Sequence, residues 1–164
     1  MIFVTVGSMF PFDRLIRLMD EWSAAQGRDD VFAQIGNGTY EPKHMKWTRK
    51  LDQLDFAKTV QDSSLIVAHA GMGSVIMADQ YAKPIVLLPR IKDQGEHTTD
   101  HQLATAAWLR EKPGIHVADT DTDLAPAIEL AITTARDTSG KWAAAANPEF
   151  LAKIRQYVLD SLQS

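Results

Sequence analysis

The strongest constraint on this chain is a ten-residue stretch in its middle. Leu65-Ile66-Val67 is a short apolar run of the kind buried in a parallel sheet, and Ala68-His69-Ala70-Gly71-Met72-Gly73-Ser74 follows it directly. Residues 75–81 then read as a helix. Strand, glycine-rich turn and helix start together form an anion-binding arrangement. Glycines let the backbone approach a phosphate, and the unpaired N–H groups of the first helical turn point at it. Ser74 adds a hydroxyl and His69 a proton donor at the strand end. The plainer alternative is a tight turn of small residues made for packing.

The same alternation runs through the chain. Residues 2–6 read as a buried strand, and 12–26 as a helix with Leu15, Ile16, Leu18, Met19 and Trp22 at helical spacing and Gly27 as its stop. Residues 31–35 and 45–48 read as strands, 54–62 as a helix, 85–88 as a strand, 102–110 as a helix, 115–117 as a last strand and 124–135 as a helix. Residues 148–162 place Leu151, Ile154, Tyr157, Val158 and Leu162 on one helical face. Six strands alternating with helices predict an α/β fold, a doubly wound parallel sheet of Rossmann type. Ligands of such sheets bind beyond the carboxyl ends of the strands. Three loops fall there: Gly7-Ser8-Met9, the turn from His69 to Ser74, and residues 90–102.

Composition narrows the chemistry. The chain has 164 residues, enough for one domain, 1–164, with a real core. Its net charge is −4 and it has no basic tract, which argues against nucleic acid as a partner. With no cysteine, disulfides and thiolate catalysis are excluded. The apolar run at the amino terminus is too short for a signal peptide or a membrane span, and no later run approaches the length of a span. A cytoplasmic location is the expectation. His97 and His101 are four apart, but no third ligand stands at a diagnostic spacing, so no metal site is expected.

Downstream of the glycine turn come Lys83-Pro84, the apolar run to Leu88, Pro89-Arg90, a polar loop, and Asp100-His101-Gln102. With His69-Ala70-Gly71-Met72-Gly73-Ser74, this series over residues 1 to about 120 resembles the carboxyl-terminal, donor-binding domain of family 28 glycosyltransferases. That resemblance implies one half of a GT-B fold, a UDP-sugar as substrate rather than a cofactor, and an inverting, metal-independent transfer. It implies donor contacts from Gly7, Ser8, His69, Gly71, Met72, Gly73 and Ser74, with His69 stabilising the leaving diphosphate. Asp100, His101 and Gln102 would read the donor sugar, with capping as the simpler role for Asp100. Glu96 belongs either to the pocket or to solvent. Where many relatives carry a ribose-holding glutamate this chain has Met77. Asp79, two positions on, faces another way on a helix and is no automatic substitute.

A GT-B enzyme needs two domains, and this chain supplies one. It is similar to single-domain subunits that pair with a membrane-associated, acceptor-binding protein, as in dolichol-linked N-acetylglucosamine transfer and bacterial exopolysaccharide synthesis. The resemblance therefore implies recruitment to the cytoplasmic face of a membrane, a lipid-linked acceptor, a catalytic base from the partner, and a terminal helix, 147–164, that docks the partner. A nucleotide-binding module without activity of its own is the alternative. Kinship to sugar-nucleotide epimerases is a weaker one.

Overall fold

In the computed structural model, which describes residues 1–137 and Ala152, six parallel strands form one sheet. The chain runs β1 (Ile2–Thr5), α1 (Asp13–Ala25), β2 (Val31–Gln34), β3 (Lys46–Thr48), α2 (Gln53–Asp62), β4 (Leu65–His69), α3 (Met72–Gln80), β5 (Ile85–Leu88), α4 (His101–Leu109), β6 (Ile115–Val117) and α5 (Asp121–Asp137). The strand order is β3-β2-β1-β4-β5-β6. It reverses between β1 and β4, where Ile2 pairs with Leu65 and Thr5 with Ala68. The predicted terminal helix over 148–162 lies outside the described residues.

Alternation along the strands divides the core into two layers. Ile2, Val4, Leu65, Val67, Val86 and Leu88 face α1 and α5, meeting Leu15, Ile16, Met19, Leu124 and Ile128. Phe3, Ile66, Ala68, Ile85 and Leu87 face α2, α3 and α4, meeting Val60, Val75, Ala78, Ala106 and Leu109. Strands buried on both faces explain the near-continuous apolar runs in the sequence.

Two helices start earlier than their apolar residues suggest. The turn before α3 is tighter than expected, so Met72, Gly73 and Ser74 form the first helical turn rather than a loop. Gly71 is the extended N-cap at φ −97° and ψ 138°, and its carbonyl accepts the Val75 N–H. Helix α5 begins at Asp121 because Asp123 reaches back to the backbone N–H and hydroxyl of Thr120, at 3.0 and 2.6 Å. That carboxylate satisfies an N–H the helix start would otherwise leave unpaired.

Candidate functional site

A cleft of about 820 Å³ opens at the carboxyl ends of the strands, above the place where strand order reverses. The loop after β1 (Val6, Gly7, Ser8, Met9, Phe10), the end of β2 (Gln34), the β4–α3 turn and Arg90 after β5 all line it. One wall comes from Leu51, Asp52, Gln53, Phe56 and Ala57 at the start of α2. Met77, Gln80 and Tyr81 continue it along α3.

His69 lies at the centre, and two glycines make room for its ring. A Cβ on Gly7 would stand 2.6 Å from His69 Cε1, and a Cβ on Gly71 would collide with Nε2. Gly7 also has φ +73°, which favours glycine for a second reason. Burial pushes the His69 pKa down to about 4, and the nearby positive charge of Arg90 adds to the effect. The Thr5 carbonyl pulls weakly the other way, yet Nδ1 closes no hydrogen bond. The imidazole is therefore neutral at physiological pH.

Helix α3 aims its amino end into the same cleft. Gly71, Met72, Gly73 and Ser74 all line it, and no side chain caps the N-terminus. Gly73 has nothing within 4 Å of the place its Cβ would occupy, so the backbone there is open to a ligand. Ser74 is buried against the cleft wall.

The β1 loop lines the cleft through Gly7 and Ser8. The Gly7 N–H donates to Thr5 Oγ1 at 3.2 Å, and that hydroxyl donates to Gln34 Oε1 at 2.9 Å. With Thr5 Oγ1 occupied by the Gly7 N–H, its proton is directed to the Gln34 oxygen. The Gln34 amide nitrogen makes no hydrogen bond among the described residues. Gln34 is only 6% exposed, and the surface it keeps is in the cleft.

The segment after β5 divides by function. Gln102 is buried, lines the cleft, and accepts the Arg90 N–H at 3.1 Å. Glu96, Asp100 and His101 do not line it. Glu96 is a strut: its carboxylate accepts from Arg14 Nε and Nη2 at 2.7 and 2.8 Å and from the Ile91 N–H at 2.9 Å. Asp100 accepts the Lys92 N–H at 3.1 Å and makes no side-chain cap to α4. His101 is exposed at the first position of α4. Consecutive helical residues point about 100° apart, so burying Gln102 in the cleft wall turns its neighbour His101 away. His97 takes a place in the lining instead, its ring 5.3 Å from that of Phe10.

Met77 lines the cleft. Asp79 lies on the other side of α3 with Val75, Lys83, Ile85 and Gly114, its Oδ2 buried without a partner and its carboxyl pushed up by burial. Among the described residues no three His, Cys, Asp or Glu side chains cluster to hold a metal, and no helix is long and apolar enough to cross a membrane.

Sequence reasoning named neither Gln34 nor Arg90 as a site residue. Each carries the same available signal, a polar side chain at the carboxyl end of an apolar strand. The α2 wall carried none.

Solved glycosyltransferases share this fold. The glycotransferase of kitacinnamycin is 21% identical at a TM-score of 0.60, over 88% of this chain and 39% of its own. MurG of Acinetobacter baumannii is 18% identical at 0.60, over 98% and 49%. Streptomyces sp. SF2575 SsfS6, complexed with thymidine diphosphate, is 15% identical at 0.58, over 87% and 37%. The chain thus spans less than half the length of these proteins. No curated protein matches it. The glycosyltransferase family 28 C-terminal domain matches residues 1–138, nearly the whole described sheet and its helices, and the chain belongs to that family.

Proposed function

We propose that this domain binds the nucleotide-sugar donor of a glycosyltransferase, with a UDP-sugar as substrate and inverting, metal-independent transfer. The observation that carries this reading is the ring of His69, set between Gly7 and Gly71 and beside the uncapped amino end of α3. A diphosphate seated there meets backbone N–H groups, the Ser74 hydroxyl and the imidazole together. As an acceptor hydroxyl attacks the anomeric carbon and the glycosidic bond breaks, negative charge grows on the departing diphosphate. These groups offset it. Gln102 and the free amide of Gln34 are suited to sugar or phosphate oxygens.

The acceptor side and the base that deprotonates its hydroxyl come, on this reading, from a membrane-associated partner subunit acting on a lipid-linked saccharide, as in exopolysaccharide synthesis. One observation supports a second body over the cleft: Met9, on the cleft rim, is 78% exposed. The second reading is a nucleotide-binding module inert even with its partner.

Calorimetry with UDP and a panel of UDP-sugars, with and without a chelator, tests the donor assignment. Metal-independent binding is the expected result, and no affinity for any uridine nucleotide refutes it. In the reconstituted pair, His69→Ala is expected to slow transfer by about 10²–10³ with the fold intact. A fully active mutant pair removes His69 from the site, and a wild-type pair that binds UDP but transfers nothing supports the inert module.

A further inference from the structure

Arg90 is a buried cation with no ion-pair partner among the described residues. It follows β5, is 2% exposed, and lines the cleft with His69. Its Nη2 donates to the carbonyls of Val6 and Phe10 at 2.7 and 2.6 Å. The rings of Phe10 and Phe12 lie 5.9 and 5.1 Å from Cζ. Nε is buried with no partner among the described residues. Every one of these contacts is neutral.

The carboxylate nearest in effect is Glu96, and it is already engaged by Arg14 and the Ile91 N–H. Arg90 forms no ion pair with it, whereas Arg14 takes both Glu96 and Asp121. Burial pushes the guanidinium down to about 10, low for arginine yet still charged at neutral pH. A buried charge with no counter-ion is costly, and an arginine fork suits phosphate oxygens better than any other side chain does.

We infer that Arg90 is an anion-binding residue, supplying the positive charge against which the diphosphate of the donor seats opposite the amino end of α3. The inference rests on the donor-binding reading and narrows it to a phosphate-recognising side chain outside the glycine turn. Its rival is a purely architectural role, in which Arg90 only holds the Val6–Phe10 loop through its two carbonyls.

Two variants of the full chain separate these roles. Arg90→Met keeps an apolar stem and loses both charge and fork, and Arg90→Lys keeps the charge and loses the fork. Calorimetry with UDP and inorganic pyrophosphate is paired with NMR titration of uridine, following the His69 ring proton. Arg90→Met is expected to weaken UDP and pyrophosphate by about 10- to 100-fold while sparing uridine. Arg90→Lys is expected to lose under about tenfold. If Arg90→Met does not fold, Arg90→Lys decides. A small loss confined to the phosphate ligands supports the assignment, and an equal loss of uridine and UDP overturns it in favour of the loop clamp. A folded Arg90→Met with wild-type affinities also overturns it. Wild-type protein that binds pyrophosphate through Arg90 but no uridine nucleotide sinks the donor reading and leaves Arg90 standing. Wild-type binding of neither sinks both.

Discussion

At the scale of single residues, the two glycines of the α3 start are separable. Gly71 has an ordinary backbone conformation, so Gly71→Ala acts only through the methyl group that collides with the His69 ring. It is expected to cut UDP affinity at least about tenfold by displacing the imidazole, read by calorimetry. Gly73 has open space and sits in the first turn of a helix, where alanine is preferred by about 0.5–1 kcal/mol. Gly73→Ala is therefore expected to raise the melting temperature while lowering UDP affinity, because its methyl group projects into the cleft. If binding is unchanged, the anion does not sit over that turn.

His69 couples both stability and binding to pH, with opposite signs. Its pKa falls from 6.5 in the unfolded chain to about 4 in the fold, so the unfolded state binds more protons between those values. The stability it contributes is complete above pH 6.5 and is lost as pH falls from there toward 4, up to about 3 kcal/mol in all. Half-buried His116, also shifted down by burial, adds in the same direction. A bound diphosphate raises the proton affinity of the His69 ring. UDP affinity is then expected to increase as pH drops through the same window, with proton uptake visible as a dependence of binding heat on buffer. Urea titrations and calorimetry between pH 4.5 and 7.5 check both trends, and parallel trends remove His69 from contact with the anion.

At the scale of elements, the strut between α1 and the segment after β5 fixes the cleft. Arg14 joins Glu96, Asp121 and the Pro89 carbonyl, tying α1, the β5–α4 segment and the start of α5 at one point. Arg14 and Glu96 are each about 10% exposed. Glu96→Gln leaves the guanidinium short of a charge partner and is expected to destabilise the fold by about 3 kcal/mol in urea titration. In protein that remains folded it is expected to leave the donor-sugar preference unchanged, because Glu96 does not line the cleft. An altered sugar preference with full stability would return Glu96 to the pocket.

Elements were easier to read from the chain than side-chain directions. The central strands were visible because buried parallel strands are written as apolar runs, whereas β3, Lys46-Trp47-Thr48, carries only a weak signal; residues 85–88 and 115–117 match their strands end to end. The start of α3 was misjudged because its signal is not apolar. Met72, Gly73 and Ser74 look like a turn and form one of helix, whereas the polar residues Asp121 and Thr122 do mark the start of α5. The cleft could be located beyond the carboxyl ends of the strands from topology. Which member of Asp100-His101-Gln102 enters it could not, since that depends on the rotation of α4 against β5. The place of Glu96, open in the sequence between pocket and solvent, was not legible for a similar reason: a glutamate in a polar loop gives no local sign that an arginine over eighty positions earlier will claim it.

At the scale of the whole molecule, the open cleft and the exposed Met9 rim mark the side on which a second domain or subunit would close. Specific interfaces bury about 1,200–2,000 Å². The segment 147–164 carries the apolar residues Phe150, Leu151, Ile154, Tyr157, Val158 and Leu162 and is the proposed tether. Truncation after Asn147 is expected to abolish co-purification with a membrane-associated partner and leave a folded, UDP-binding domain. Continued co-purification would move the interface to the cleft rim.

The strand order also sets the sequence of events during synthesis on the ribosome. Strand β1 ends in the middle of the sheet, with β2 on one side and β4 on the other. The nascent chain makes β1, β2 and β3 first and can pair them. One edge of β1, with apolar side chains on both faces, stays bare until Leu65–His69 emerges. A bare, flat, apolar edge is the commonest template for pairing with a neighbouring chain. The seam that later carries the ligand cleft thus stays open until the second half begins to emerge, and the interval before β4 arrives leaves the nascent chain exposed to aggregation along that edge.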